Sequence, residues 1–170
     1  SRLDAELSRA EMEAVDMARL LSTLKDMYAA TTATDNVEFE MELGEGRPMI
    51  VSGLEDRIVQ VLRNLIGNAV SFSPPGGAVI LKAKPHGNTV IVTVEDEGPG
   101  IPEGSEDNIF NRFYQQRPTE EKFGTHSGLG LSISKQIIET HGGRISAENR
   151  MSERGVALGA RFTIQLPISE

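Results

Sequence analysis

The chain has 170 residues, 38% of them hydrophobic, a net charge of −8 and no cysteine. That length gives one domain with at most a helical appendage, and the missing cysteines exclude a disulfide framework or a thiolate metal site. No stretch approaches the ~18 apolar residues of a membrane span, and no Lys/Arg run offsets the acidity, which excludes nucleic acid and anionic lipid as partners.

In chain order, residues 1–30 contain neither glycine nor proline, and Leu3, Leu7, Ala10, Ala14, Met17, Leu21, Leu24 and Tyr28 alternate in steps of four and three. This heptad seam predicts one long helix. It either packs on its own domain or belongs to an oligomeric bundle, and the second is favoured because the seam starts at the first residues. Residues 29–36 break the helix. Val37–Leu43 alternates apolar and acidic residues at period two, a half-buried strand, and 48–52 is a shorter one. Leu54–Phe72 is helical, with Ile58, Val61, Leu62, Leu65, Ile66, Ala69 and Phe72 on the apolar face, and Ser73-Pro-Pro-Gly-Gly77 stops it. Val79–Lys84 and Thr89–Asp96 read as a hairpin, 105–113 as a short helix, Leu129–His141 as an amphipathic helix closed by Gly142-Gly143, and 144–150 with 156–166 as a last hairpin. The fold class is therefore α/β (α+β): a mixed, mostly antiparallel sheet under helices.

Three groups of residues carry chemistry. On the 54–72 helix, Gln60, Asn64, Asn68 and Ser71 form one polar stripe. A carboxamide oxygen there suits Mg²⁺, although a solvated helix face is the commoner fate of asparagine. In the second, alternation puts Val90, Val92 and Val94 on one face and Asp96 with them. A carboxylate at the lip of an apolar face calls for a hydrogen-bond donor, such as an amino group of a ligand, and Gly98 and Gly100 would let backbone approach that ligand. An incidental turn aspartate is the plain alternative. Third, Gly124, Gly128 and Gly130 lead into a helix, where free N–H groups and the helix dipole favour phosphate. The spacing fits neither a P-loop nor GxGxxG.

Taken in order, Asn64-Leu-Ile-Gly-Asn68, Asp96-Glu-Gly98-Pro-Gly100, Phe110-Asn-Arg-Phe113 and Gly124…Gly128-Leu-Gly130 resemble the N, G1, F and G2 boxes of sensor histidine kinases. These belong to the ATP-binding superfamily shared with gyrase, the HSP90 chaperones and the mismatch-repair ATPases. The resemblance covers about residues 30–167. The wording of residues 64–74 and of 1–30 is most similar to the ChvG/ExoS type of two-component sensor kinases.

The resemblance implies a sandwich of a mixed sheet under three helices, with ATP and Mg²⁺ beneath a mobile lid spanning roughly 102–127. Asp96 would accept from the adenine amino group, Asn68 would ligate Mg²⁺, and Asn64 would face the phosphates. Gly98, Gly100 and Ile101 would border the nucleotide. Gly124, Gly128, Leu129 and Gly130 would cradle phosphate, with Arg112 acting catalytically and Lys122 adding lid charge. Where the ATPase branches hold a glutamate that activates water, Asn64 cannot act as a base, so phosphoryl transfer is implied rather than hydrolysis. Two positions depart from the pattern: Ser71 stands where a basic residue is common, and Ala160 where a threonine is. His86, His126 and His141, the three histidines, lack the sequence context of a phosphate acceptor.

The implied plan is residues 1–30 as the tail of a dimerisation helix and linker, and 31–170 as the catalytic domain. This fragment would not autophosphorylate alone. Its partners would be ATP, a histidine-bearing dimerisation domain of the same protein and a cognate response regulator. The parent would be a homodimer in the inner membrane with this domain in the cytoplasm. Two other readings remain open: an anti-sigma-factor-type serine kinase, and a nucleotide-binding or dimerisation module without catalysis.

Overall fold

A computed structural model describes residues 12–31, 36–111 and 130–169. Among these, the elements in order are β1 (Glu13–Asp16), α1 (Met17–Thr31), β2 (Glu38–Leu43), β3 (Ile50–Gly53), α2 (Glu55–Phe72), β4 (Ala78–His86), β5 (Thr89–Glu95), a 3-10 turn (Asn108–Phe110), α3 (Gly130–Thr140), β6 (Arg144–Met151) and β7 (Ala157–Pro167). The main sheet has the order β2-β4-β5-β7-β6. The β2–β4 pair is parallel and the others are antiparallel. The mixed sheet with helices agrees with the fold class read from the sequence.

The period-two strands place one face inward. Val79, Leu81 and Ala83 of β4, Val90, Val92 and Val94 of β5, and Phe162, Ile164 and Leu166 of β7 are all buried. They form one core with Ile58, Leu62, Leu65 and Ile66 of α2 and with Ile137 and Ile138 of α3. On the other face, consecutive strands pair opposite charges around Glu95, itself only 3% exposed. The Lys82 ammonium (3.4 Å), the Arg150 guanidinium (3.0 Å) and the Arg161 guanidinium (3.3 Å) surround its carboxylate, and Arg161 also binds Glu148 at 2.9 Å. A buried carboxylate is tolerated because three cations compensate its lost hydration.

The unbroken helix expected over 1–30 does not form. Residues 13–16 are a strand, antiparallel to β3 in a separate two-stranded ribbon, and the helix starts only at Met17. Asp16 marks that start: its Oδ1 accepts from the Arg19 backbone N–H at 3.2 Å, as an N-cap does. The seam residues Met17, Leu21 and Leu24 are buried in the domain's own core, and Tyr28 tilts against Phe39 with ring centroids 6.3 Å apart. Over 17–28 the apolar stripe therefore packs on its own domain rather than on a bundle, and residues 13–31 share the core assigned to 31–170. Leu3, Leu7, Ala10 and the rest of 1–11 lie outside the described residues. The short helix expected over 105–113 reduces to the turn Asn108–Phe110, whose Ile109 and Phe110 are buried.

His141 closes α3 and opens α2. The Leu54 N–H, at the N-cap of α2, donates to His141 Nε2 at 3.1 Å, so the ring proton sits on Nδ1, which donates to the Ile137 carbonyl at 2.8 Å. Leu54 has no side-chain cap to offer, and the imidazole replaces it. We expect His141→Ala to cost about 1–2 kcal/mol by urea unfolding, because one orphaned N–H and one bridging bond are lost. An unchanged midpoint would remove this capping role.

Candidate functional site

Asp96 follows β5 on the buried face, as the valine alternation required, and is 3% exposed. Its Oδ1 accepts from the Gly98 N–H (2.8 Å) and the Ala160 N–H (3.1 Å), and its own N–H donates to the Ala160 carbonyl at 3.0 Å. Among the described residues none donates to Oδ2. Burial pushes the carboxyl above the usual aspartate range, against the lowering effect of those two N–H groups and of the Arg150 charge. An acceptor oxygen thus stands at the apolar lip with no partner among the described residues, which suits an amino group on a flat ligand.

The glycines that follow have packing reasons of their own. A Cβ at Gly98 would lie 2.5 Å from the Phe72 carbonyl oxygen, and one at Gly100 (φ +85) 2.6 Å from Asn149 Oδ1. The close approaches seen are therefore to the end of α2 and to β6. Ile101 is buried, and both its backbone groups are held. Its N–H donates to Asn149 Oδ1 (2.6 Å), and its carbonyl accepts from Asn149 Nδ2 (2.9 Å).

The polar stripe on α2 meets the start of α3. Asn64 Nδ2 lies 3.2 Å from both the Gly130 carbonyl and the hydroxyl of the fully buried Ser134. Asn68 sits one turn on, half-buried, and Phe72 one turn further touches the Gly98 loop. The helix thus joins Gly130 at one end to Asp96–Ile101 at the other, and Asn68 lies between. Two amides and an unpaired carboxylate oxygen fit a ligand with an amino-bearing base at one end and oxyanions at the other. Among the described residues no group of three or more His, Asp or Glu could hold a metal ion. A metal here would need ligand oxygens besides Asn68, as Mg²⁺ bound with phosphates and water has.

Arg112, Lys122, Gly124, Gly128 and Leu129 lie outside the described residues, as do Phe113, His126 and most of the expected lid. Of the aromatic pair Phe110 and Phe113, Phe110 is buried edge-on against Phe162, with centroids 6.3 Å apart. Ala160 is buried and serves through its backbone, supplying Asp96 with a donor that needs no hydroxyl. Sequence reasoning missed Asn149, Arg150, Gly159 and Ser134. Arg150 Nη1 donates to the Asp96 carbonyl at 2.8 Å, and a Cβ at Gly159 would overlap that same oxygen. No local periodicity signals these four residues, since their roles arise from cross-strand and interhelical placement.

Residues 53–170 match the family described as histidine kinase-, DNA gyrase B- and HSP90-like ATPases. Sensor protein ChvG of Agrobacterium fabrum is 45% identical over 177 residues, which cover 100% of this chain and 30% of that protein. Thus the chain spans about a third of the length of such relatives. The mycobacterial sensor histidine kinase MprB superposes with a TM-score of 0.78 at 28% identity, covering 92% of this chain and 97% of that one. Histidine kinase ThkA, solved in complex with response regulator protein TrrA, gives 0.74 at 27% identity over 93% of this chain and 42% of that one.

Proposed function

From its membership of the histidine kinase-, DNA gyrase B- and HSP90-like ATPase family, we propose that this chain is the ATP-binding catalytic domain of a sensor histidine kinase. In this reading Asp96 Oδ2 accepts from the adenine amino group. Asn68 offers its carboxamide oxygen to Mg²⁺, which neutralises phosphate charge, and Asn64 faces the phosphates from the mouth of α3. The observation that carries the reading is the buried Asp96 carboxylate, held by two backbone N–H groups on one oxygen and, among the described residues, without a donor on the other.

The chemistry is transfer rather than hydrolysis. Asn64 already donates to Gly130 and Ser134, and its amide takes no proton from water, so no base is at hand there. The bond from the γ-phosphorus to the β–γ bridging oxygen breaks, ADP leaves, and a bond forms to an imidazole nitrogen. His141 is not that nucleophile, because both its ring nitrogens are engaged in the core. The acceptor is thus proposed to lie on a histidine-bearing dimerisation domain, with a response regulator as the next recipient. ThkA supports that partner class, having been solved with one. The parent is proposed to be a membrane-anchored homodimer with this domain on the cytoplasmic side. No helix among the described residues is long and apolar enough to cross a membrane.

Isothermal titration with an unhydrolysable ATP analogue tests the reading. Binding should strengthen with Mg²⁺, and Asn68→Ala should remove about 1 kcal/mol of that Mg²⁺-dependent part, the size of one polar contact. Absence of binding at millimolar analogue would instead favour a domain that holds no nucleotide.

A further inference from the structure

We propose that Asn149 and Arg150, consecutive residues at the end of β6, set adenine selectivity by pinning the two ends of the Asp96–Ile101 loop. This rests on the reading of Asp96 as the adenine partner and adds the residues that fix where Asp96 points. Neither side chain belongs to the polar stripe, the loop or the glycine-rich segment described above.

The geometry is specific. β6 is not adjacent to β5, for β7 lies between them. Consecutive side chains leave a strand on opposite faces, so Asn149 and Arg150 pass β7 on its two sides. On the core side Asn149 stands opposite the small Ala160, and its amide reaches the Ile101 backbone with both its oxygen (2.6 Å) and its nitrogen (2.9 Å). On the outer side Arg150 stands opposite Gly159, which has no side chain to block it. Its Nη1 reaches the Asp96 carbonyl at 2.8 Å, and its Nε is held by Glu95 at 3.0 Å. The register then shifts between Arg150 and Met151, so the regular ladder ends where the grip is made.

Pinning both ends matters because the stretch between them is Glu97-Gly-Pro-Gly100, with two glycines. Unpinned, Asp96 would be held only by its bonds to Gly98 and Ala160, and the glycine-containing stretch could tilt its carboxylate. Pinned, Oδ2 has one direction, and a base with an amino group at that point is preferred to one with a carbonyl. Discrimination of this kind needs an acceptor that cannot move to accommodate the wrong base.

The test uses the 170-residue chain and unhydrolysable analogues of ATP and of inosine triphosphate, which carries a carbonyl where adenine has its amino group. Asn149→Ala and Arg150→Met should each reduce the preference for the ATP analogue about three- to tenfold, the equilibrium equivalent of one ordinary hydrogen bond. Asn149→Asp, which keeps the acceptor but turns a carboxylate oxygen on the Ile101 carbonyl, should lose at least as much preference as Asn149→Ala. It also serves if the alanine variant does not fold. Affinity for the inosine analogue should stay within about twofold, because the triphosphate contacts lie elsewhere. Equal loss of both affinities would mean a general structural role and would overturn the proposal, as would an unchanged preference in both variants. Were the wild type itself indifferent between the two analogues, the adenine assignment of Asp96 would fall first.

Discussion

Asp96→Asn should weaken binding of an unhydrolysable ATP analogue by about 1–3 kcal/mol while leaving the empty domain as stable as before or more so. The two halves have one cause. Oδ1 must keep accepting from Gly98 and Ala160, so the asparagine has to turn its NH₂ toward the ligand side. A donor then faces the adenine amino group, and the contact becomes repulsive. In the empty domain the same change removes a charge that burial disfavours. The sign follows from the pKa: burial raises it in the folded state above the unfolded value of 3.8, so folding is penalised at every pH above the folded pKa. That penalty shrinks as pH falls through the folded pKa toward 3.8. Any stability advantage of the asparagine variant is therefore largest near neutrality and narrows on acidification. Titration calorimetry and urea unfolding at several pH values read both halves. Unaltered affinity for the analogue would remove Asp96 from the adenine site.

Gly159→Ala should be the most damaging glycine replacement in this region, costing about 2–4 kcal/mol of folding stability and lowering nucleotide affinity with it. A Cβ there would meet backbone rather than a movable side chain: the carbonyl oxygen of Asp96, then its carbon, then Glu97 Cα. Relief requires moving Asp96, which breaks the Arg150 bond to that carbonyl and disturbs both bonds to Ala160. Gly67→Ala is the comparison. It lies within α2 with nothing within 4 Å of its added Cβ, so ordinary helix propensity should make it stabilising by about 0.5–1 kcal/mol. Equal effects of the two replacements in urea unfolding would show that the close approach at Gly159 carries no weight.

The site was legible where it depended on local pattern. Three alternating valines fixed the parity of Asp96, and its burial follows from that alone. The apolar spacing along 54–72 gave the helix on which Asn64 and Asn68 lie one turn apart. The same logic misled at the start of the chain. The seam through Met17, Leu21, Leu24 and Tyr28 is real, but a period says that a stripe is covered and not by what. The four residues of β1 interrupt too few heptads to show against it, and the cap at Asp16 was the one local sign of a break. Asn149 and Arg150 were not legible at all. Their reach to the Asp96 loop depends on a strand order that places β7 between, on the small residues Ala160 and Gly159 opposite them, and on a register shift one residue later. The strand order above all is not written in any local window.

The ribbon of β1 and β3 fixes the register of the strand that leads into α2. β3 is shared: Val51 pairs with Val15 on one side and bridges Ile168 on the other, and Ser169 donates to Ile50. Gly53 then passes directly to Leu54 and the helix that carries both asparagines. Because strand side chains alternate, sliding β1 by one residue would turn Val15 out and bring either Ala14 or Asp16 to its place. Only a jump of two residues, about 6.6 Å, restores inward parity. The inward Val15 therefore holds residues 13–16, and through β3 the start of α2, in one register.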